Sequence, residues 1–227
     1  MAVSFYYGLF LIILVRLFYL FKAHKNPPLI QFLPLGDSYT ICEGVPAAQS
    51  WPTILTDNLR KQGMAIELLG NPAVTGYTTD DLTREELPEI DKKKPNLVTL
   101  LIGVNDYVQG RTEKEFKVQL VNILDYIQNR LPDKSKLLLI TIPDFSVTPN
   151  GKNYTHGRNA HKDIELFNQI IKSEAKKRKL PVADIFNSSL NMEKDPSLVC
   201  EDGLHPSAKE YANWEIMIRA EVEKMWR

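Results

Sequence analysis

Four short motifs in this chain hold residue types that together could carry an acyl group on a serine. Gly36-Asp37-Ser38 offers a hydroxyl. Asn71-Pro72-Ala73-Val74-Thr75-Gly76 ends on a glycine, and Gly103-Val104-Asn105-Asp106 holds a side-chain amide. Asp202-Gly203-Leu204-His205-Pro206 sets a carboxylate three residues before an imidazole. A hydroxyl becomes a nucleophile when a base takes its proton, a third group orients that base, and donors wait for the oxyanion. Ser38 is the candidate nucleophile. His205 is the candidate base, because imidazole titrates near neutrality. It is the one of four histidines in such a setting. Asp202 can reach the ring and fix its tautomer, Gly203 allows the tight bend between them, and Pro206 keeps His205 out of helical dihedrals. The backbone N–H groups of Ser38 and Gly76 and the side-chain amide of Asn105 are the candidate oxyanion donors. Asp37 and Asp106 read as supporting acceptors that brace their loops. Asp144 and Asp184, at strand ends, are rival carboxylates for His205, and His156 and His161 read as solvated.

These motifs are useful only if the chain brings them together, and the apolar pattern predicts that it does. Strands are expected at 29–35, 64–69, 97–102, 137–142 and 182–185. Pro34 reads as tolerable because it would fall at a strand's end. Helices are expected at 50–62, with Ser50 as cap and Gly63 as stop, and at 79–90. Thr112-Glu113-Lys114-Glu115 is a capping box opening a helix with Phe116, Leu120, Ile123, Leu124, Ile127 and Leu131 on one stripe. A polar loop at 143–158 precedes a helix carrying Ile164, Phe167, Ile170 and Ile171, and a last helix starts at Pro206. Strands alternating with helices imply right-handed crossovers and a parallel sheet covered on both faces. With no GxGxxG after the first strand, the pattern predicts an α/β fold with a flavodoxin-like, doubly wound, five-stranded parallel sheet. Each motif then follows a strand, and in such sheets the carboxyl ends of the strands carry the site.

The four blocks, in this order from about residue 29 to the carboxyl terminus, resemble those of the SGNH (GDSL-type) hydrolases, whose Ser, Gly, Asn and His each come from one block. Tyr39 stands where the family's nickname motif has Leu. The resemblance implies a three-layer α/β/α fold and hydrolysis of esters or thioesters without a cofactor. Within the family, O-acyl transfer to carbohydrate is the alternative outcome; a catalytically idle, membrane-anchored binding module is the alternative outside enzymology. The GxSxG elbow of the α/β-hydrolases is missing around Ser38. No Cys or His spacing suits a metal. With no lid segment apparent, the site is expected to be an open groove bordered by 147–151.

Composition narrows the remaining possibilities. Of 227 residues, 28 are basic and 28 acidic. The first 25 hold Arg16, Lys22 and Lys25 but no acid, so the rest carries 25 basic against 28 acidic side chains. Such a surface is a poor match for nucleic acid. The basic run Lys176-Lys177-Arg178-Lys179 reads as the solvated end of a helix. Cys42 and Cys200 are expected as free thiols, with a disulfide between their loops as the alternative. Residues 3–21 form a nineteen-residue, mainly apolar run with one charge, Arg16. As a helix this run would extend about 28 Å, one hydrocarbon thickness. A membrane anchor over 1–25 ahead of a hydrolase domain over 26–227 is therefore expected. Lys22 and Lys25 lean toward a cytoplasmic-facing domain.

Overall fold

The computed structural model describes residues 28–226. The anchor expected over 1–25 lies outside them. Among the described residues no helix is long and apolar enough to cross a membrane.

Strands β1 (Ile30–Gly36), β2 (Ile66–Leu68), β3 (Leu97–Leu101), β4 (Leu137–Ile140) and β5 (Val182–Ala183) form one parallel sheet in the order β2-β1-β3-β4-β5. This is the flavodoxin-like order, whose direction reverses between β1 and β3. β3 (LVTLL) is buried along its whole length, as expected of a strand covered on both faces. Around the sheet lie α1 (Ser38–Ile41), α2 (Trp51–Lys61), α3 (Thr79–Asp81), a π-turn (Leu82–Glu86), α4 (Leu87–Lys93), α5 (Val104–Val108), α6 (Glu113–Gln128), α7 (Ala160–Arg178), α8 (Phe186–Ser189) and α9 (Ala208–Met225). α2 packs on α9 on one side, while α6 packs on α7 and α4 on the other.

Local signals explain several boundaries. The Thr112 hydroxyl accepts the Glu115 N–H and the Glu115 carboxylate accepts the Thr112 N–H, so the predicted capping box opens α6. Phe116, Leu120, Ile123, Leu124 and Ile127 are buried beneath it. The last helix begins at Ala208 with Ser207 as cap, two residues after Pro206. At the end of α7 the basic run forms ion pairs, exposed Lys177 with buried Glu174 and Arg178 with exposed Asp125.

Pro34 departs from expectation. It lies inside β1 and is paired in register with Thr99, not at the strand's end. The Ile30 N–H donates to Ala65 O and the Phe32 O accepts from Leu69 N, so the even-numbered residues of β1 turn their polar groups toward β2. β2 has ended by the level of Pro34, so no ladder partner is waiting for the N–H that proline lacks.

Candidate active site

Ser38 opens the single turn α1, directly after β1. Asp37 caps that turn, its Oδ1 accepting the Tyr39 N–H at 3.0 Å. Gly36 must be glycine for lack of room: a Cβ there would stand 2.2 Å from Leu101 O and 2.3 Å from Thr40 Oγ1. The Trp51 indole donates to Tyr39 O and ties α1 to α2.

Asn71 donates to Thr40 O at 2.8 Å and holds the loop after β2 against α1. Gly76 in that loop has φ +87°, a left-handed conformation that favours glycine, and a Cβ built on it would meet nothing within 4 Å. The main chain there is open to a ligand. Asn105 in α5 donates one amide hydrogen to Tyr77 O at 2.9 Å, which orients the amide and leaves its second hydrogen uncommitted. The fully buried Asp106 accepts the Thr79 N–H at 2.9 Å and the Thr79 hydroxyl, and pairs with Arg111. It therefore braces the loops after β2 and β3 against each other. Burial raises its pKa, opposed by the bonds from Thr79 and the Arg111 charge.

Asp202 Oδ2 lies 2.6 Å from His205 Nδ1, while its Oδ1 accepts the Leu204 and His205 N–H groups at 2.8 and 2.9 Å. Burial works against the Asp202 charge. The hydrogen bonds from His205 and Leu204 outweigh it, and the pKa is lowered, so the carboxylate stays ionised. With Nδ1 donating, Nε2 of the neutral ring keeps the lone pair a base needs. The ring rests edge-on against Tyr39, centroids 5.8 Å apart.

Ser38, Gly76, Asn105 and His205 all border one pocket of about 230 Å³. Its other walls are Tyr39, Thr75, Val104, Val108, Phe145, Tyr154 and Leu204. Among the described residues the Ser38 hydroxyl makes no hydrogen bond. Hydroxyl–base contacts are commonly long before substrate tightens them. The arrangement can activate a hydroxyl, hold an oxyanion and bury an apolar acyl group. Among the described residues, no three His, Cys, Asp or Glu side chains gather as a metal would require.

One expectation needs correction. The site is a small pocket instead of an open groove along 147–151. Two 3₁₀ turns in the 143–158 segment bring in Phe145 and Tyr154. Asn150 instead props the loop at 202–206, its N–H donating to Gly203 O and its amide to Asp202 O. His161 is exposed, as expected, with its Nδ1 2.6 Å from Asp144 Oδ2 and its ring near Phe186. Asp144 thus serves His161, and Asp184 is taken up by Thr141 and Lys172, so neither rival orients His205. Tyr39 is a wall of the pocket and a rest for His205. Cys42 and Cys200 are free. Burial pushes the Cys42 thiol far up, and burial with the Asp202, Glu201 and Glu43 charges takes Cys200 to about 11, so both stay protonated.

Removing the Asn105 amide should cost about 10²–10³ in kcat if it is an oxyanion donor. Asn105→Ala assayed on a nitrophenyl ester tests this, and an unchanged kcat would remove Asn105 from the site.

Known proteins are similar to this chain in sequence and in fold. An arylesterase from Vibrio mimicus is 27% identical over 178 residues, covering 78% of this chain and 80% of that protein. The acetylxylan esterase Axe2 from Geobacillus stearothermophilus superposes with a TM-score of 0.70 at 18% identity, over 89% of this chain and 98% of the other. The lipase/acylhydrolase from Enterococcus faecalis superposes at 0.67 and 22%, over 86% and 96%. At such identities the two structures speak for the fold. The GDSL-like lipase/acylhydrolase family model matches residues 35–212, from the last residues of β1 into α9 and across all four blocks. The chain therefore belongs to that SGNH-type GDSL-like lipase/acylhydrolase family and is a carboxylic ester hydrolase.

Proposed function

We propose that the enzyme cleaves esters or thioesters of hydrophobic acyl groups through an acyl-enzyme on Ser38. The observation that carries this reading is one pocket bordered by Ser38, Gly76, Asn105 and His205, with His205 already held by Asp202. His205 Nε2 takes the hydroxyl proton as Ser38 Oγ bonds to the acyl carbon. The carbonyl electron pair moves onto oxygen, where the N–H groups of Ser38 and Gly76 and the free amide hydrogen of Asn105 receive it. Collapse expels the alkoxide or thiolate, which His205 protonates. Water then attacks the acyl carbon with His205 again as base, releasing the acid and restoring Ser38.

The walls support the choice of acyl group. Val104, Val108, Phe145, Tyr154 and Leu204 are mainly apolar, and no charged side chain is among them apart from the catalytic His205 when protonated. At about 230 Å³ the pocket is smaller than the ~300–1,000 Å³ of sites that enclose drug-sized ligands. It suits the acyl half of a substrate, with the leaving group outside. Across straight-chain nitrophenyl esters, kcat/KM should rise from acetate by up to about fourfold per methylene, the equivalent of ~0.8 kcal/mol for each one buried, until the pocket is full. Val108→Trp should depress the longer esters far more than acetate. A preference for acetate in the native enzyme would sink the hydrophobic-acyl reading. A fluorophosphonate should form one covalent adduct, located on Ser38 by peptide mass; labelling elsewhere would sink the nucleophile.

A further inference from the structure

Behind the nucleophile lies a second group of acids that the reaction scheme does not use. Along β1 the even-numbered residues turn their polar groups toward β2, which ends at Leu68. Pro34 has no N–H to satisfy there. Gly36 has one, and Glu86 Oε2 receives it at 2.9 Å. Glu86 is fully buried and lies 50 residues away in sequence. It reaches this position through the π-turn Leu82–Glu86, in which the Leu87 N–H bonds back to Leu82 O. Pro88 cannot donate, and its ring would crowd the carbonyl four residues earlier. The helix widens by one residue there and turns Glu86 inward.

Glu86 meets the chain at Gly36, and Asp37 is the next residue. Each of these two buried acids spends one oxygen on a backbone N–H: Glu86 Oε2 on Gly36 and Asp37 Oδ1 on Tyr39. The other oxygen of each, Glu86 Oε1 and Asp37 Oδ2, is buried without a partner. Two such orphans are costly as a pair of acceptors. One proton between them turns one acid into a donor and satisfies both.

We propose that Glu86 is a positioning residue for Ser38: it shares a proton with Asp37, from Glu86 Oε1 to Asp37 Oδ2, and this bond together with the Gly36 N–H clamps the Gly36-Asp37-Ser38 turn. The electrostatics agree. Burial, with the Asp106 charge adding and the Tyr39 and Asp37 N–H groups opposing, takes Asp37 up to about 8. Burial, opposed by the Gly36 N–H and reinforced by the Asp37 charge, holds Glu86 far above the ordinary carboxylate range. Asp106, the remaining acid that bears on Asp37, is itself held by Thr79 and Arg111.

The clamp predicts a pattern of variants. Glu86→Gln keeps an acceptor for Gly36 and offers an amide donor to Asp37, so it should recover most of the kcat that Glu86→Leu loses, a loss expected at about tenfold or more. The double variant Glu86→Gln/Asp37→Asn sets two amide donors against each other. It should lose at least about tenfold beyond the product of the single losses. A Glu86→Gln enzyme as impaired as Glu86→Leu, or a double variant that is simply multiplicative, would overturn the proposal. If Glu86→Leu does not fold, the near-isosteric cycle still decides. An infrared difference spectrum at neutral pH is independent of Ser38 chemistry. Taken between Ser38→Ala and Ser38→Ala/Glu86→Gln, it should show a protonated-carboxyl carbonyl band lost with Glu86. The absence of that difference would end the clamp and leave the acyl-enzyme reading untouched.

Discussion

Ser38→Ala is expected to lower kcat on a short-chain nitrophenyl ester by about 10⁶-fold, the size of loss seen when a serine hydrolase loses its nucleophile. The substitution deletes one oxygen from a side chain that is 4% exposed and whose hydroxyl bonds to nothing among the described residues. Alanine fits the same turn, and the bonds that hold it run through the backbone and Asp37. Folding is therefore expected to survive, with circular dichroism unchanged and Tm within a few degrees. A stable but inactive protein that no longer takes a fluorophosphonate is the expected result. Activity retained within tenfold would show that the acyl group is carried elsewhere.

Asp202→Asn should cost about 10⁴-fold in kcat with little change in KM, because the swap reverses one hydrogen bond and leaves the others in place. The asparagine oxygen can still accept the Leu204 and His205 N–H groups that now go to Oδ1. Its NH₂ would then face His205 Nδ1 where a carboxylate oxygen now stands at 2.6 Å. The ring must present a lone pair at Nδ1, which moves its proton to Nε2, and it can no longer take one from Ser38. Kinetics on the same ester check this, and a loss under tenfold would mean that some other group orients His205. The same side chain makes a signed stability prediction. The Asp202 pKa is lowered in the folded protein. Its contribution is therefore complete above the ordinary carboxylate value near 3.9 and disappears as pH falls through the lower folded value. The difference in Tm between the native enzyme and Asp202→Asn should be constant at neutral pH and shrink in acid; a gap that widens in acid would reverse the assignment.

The fold was legible in the sequence because its signals are short-range. Mainly apolar runs such as Leu97–Leu101 mark strands covered on both faces, and the Thr112/Glu115 box marks a helix start within four residues. Alternation of strand and helix then restricts the topology. The candidate site was legible for a related reason: in a parallel sheet every strand's carboxyl end points to the same rim. Motifs that follow β1, β2 and β3 converge there whatever the detailed packing. Asp202 and His205 belong to one short loop, so their contact is almost a local property.

What needed coordinates depends on where elements stop and what faces them. Pro34 is admissible because β2 ends short, a length set by packing and not by any residue near Pro34. Glu86 reads as one more acid on an amphipathic helix until the π-turn Leu82–Glu86, just ahead of Pro88, turns it toward Gly36. Asp144 and Asp202 look alike as strand-end or loop acids, and only the placement of α7 gives the first to His161. The pocket draws Val108 from α5, Phe145 and Tyr154 from a polar loop, and Leu204 from the loop that holds Asp202 and His205. The sequence alone determined the order of the elements and the four motif residues, since both follow from local chemistry and strand direction. The tertiary structure decided the pocket walls and the buried acids behind Ser38, since contacts between residues distant in sequence are set by the packing of whole elements.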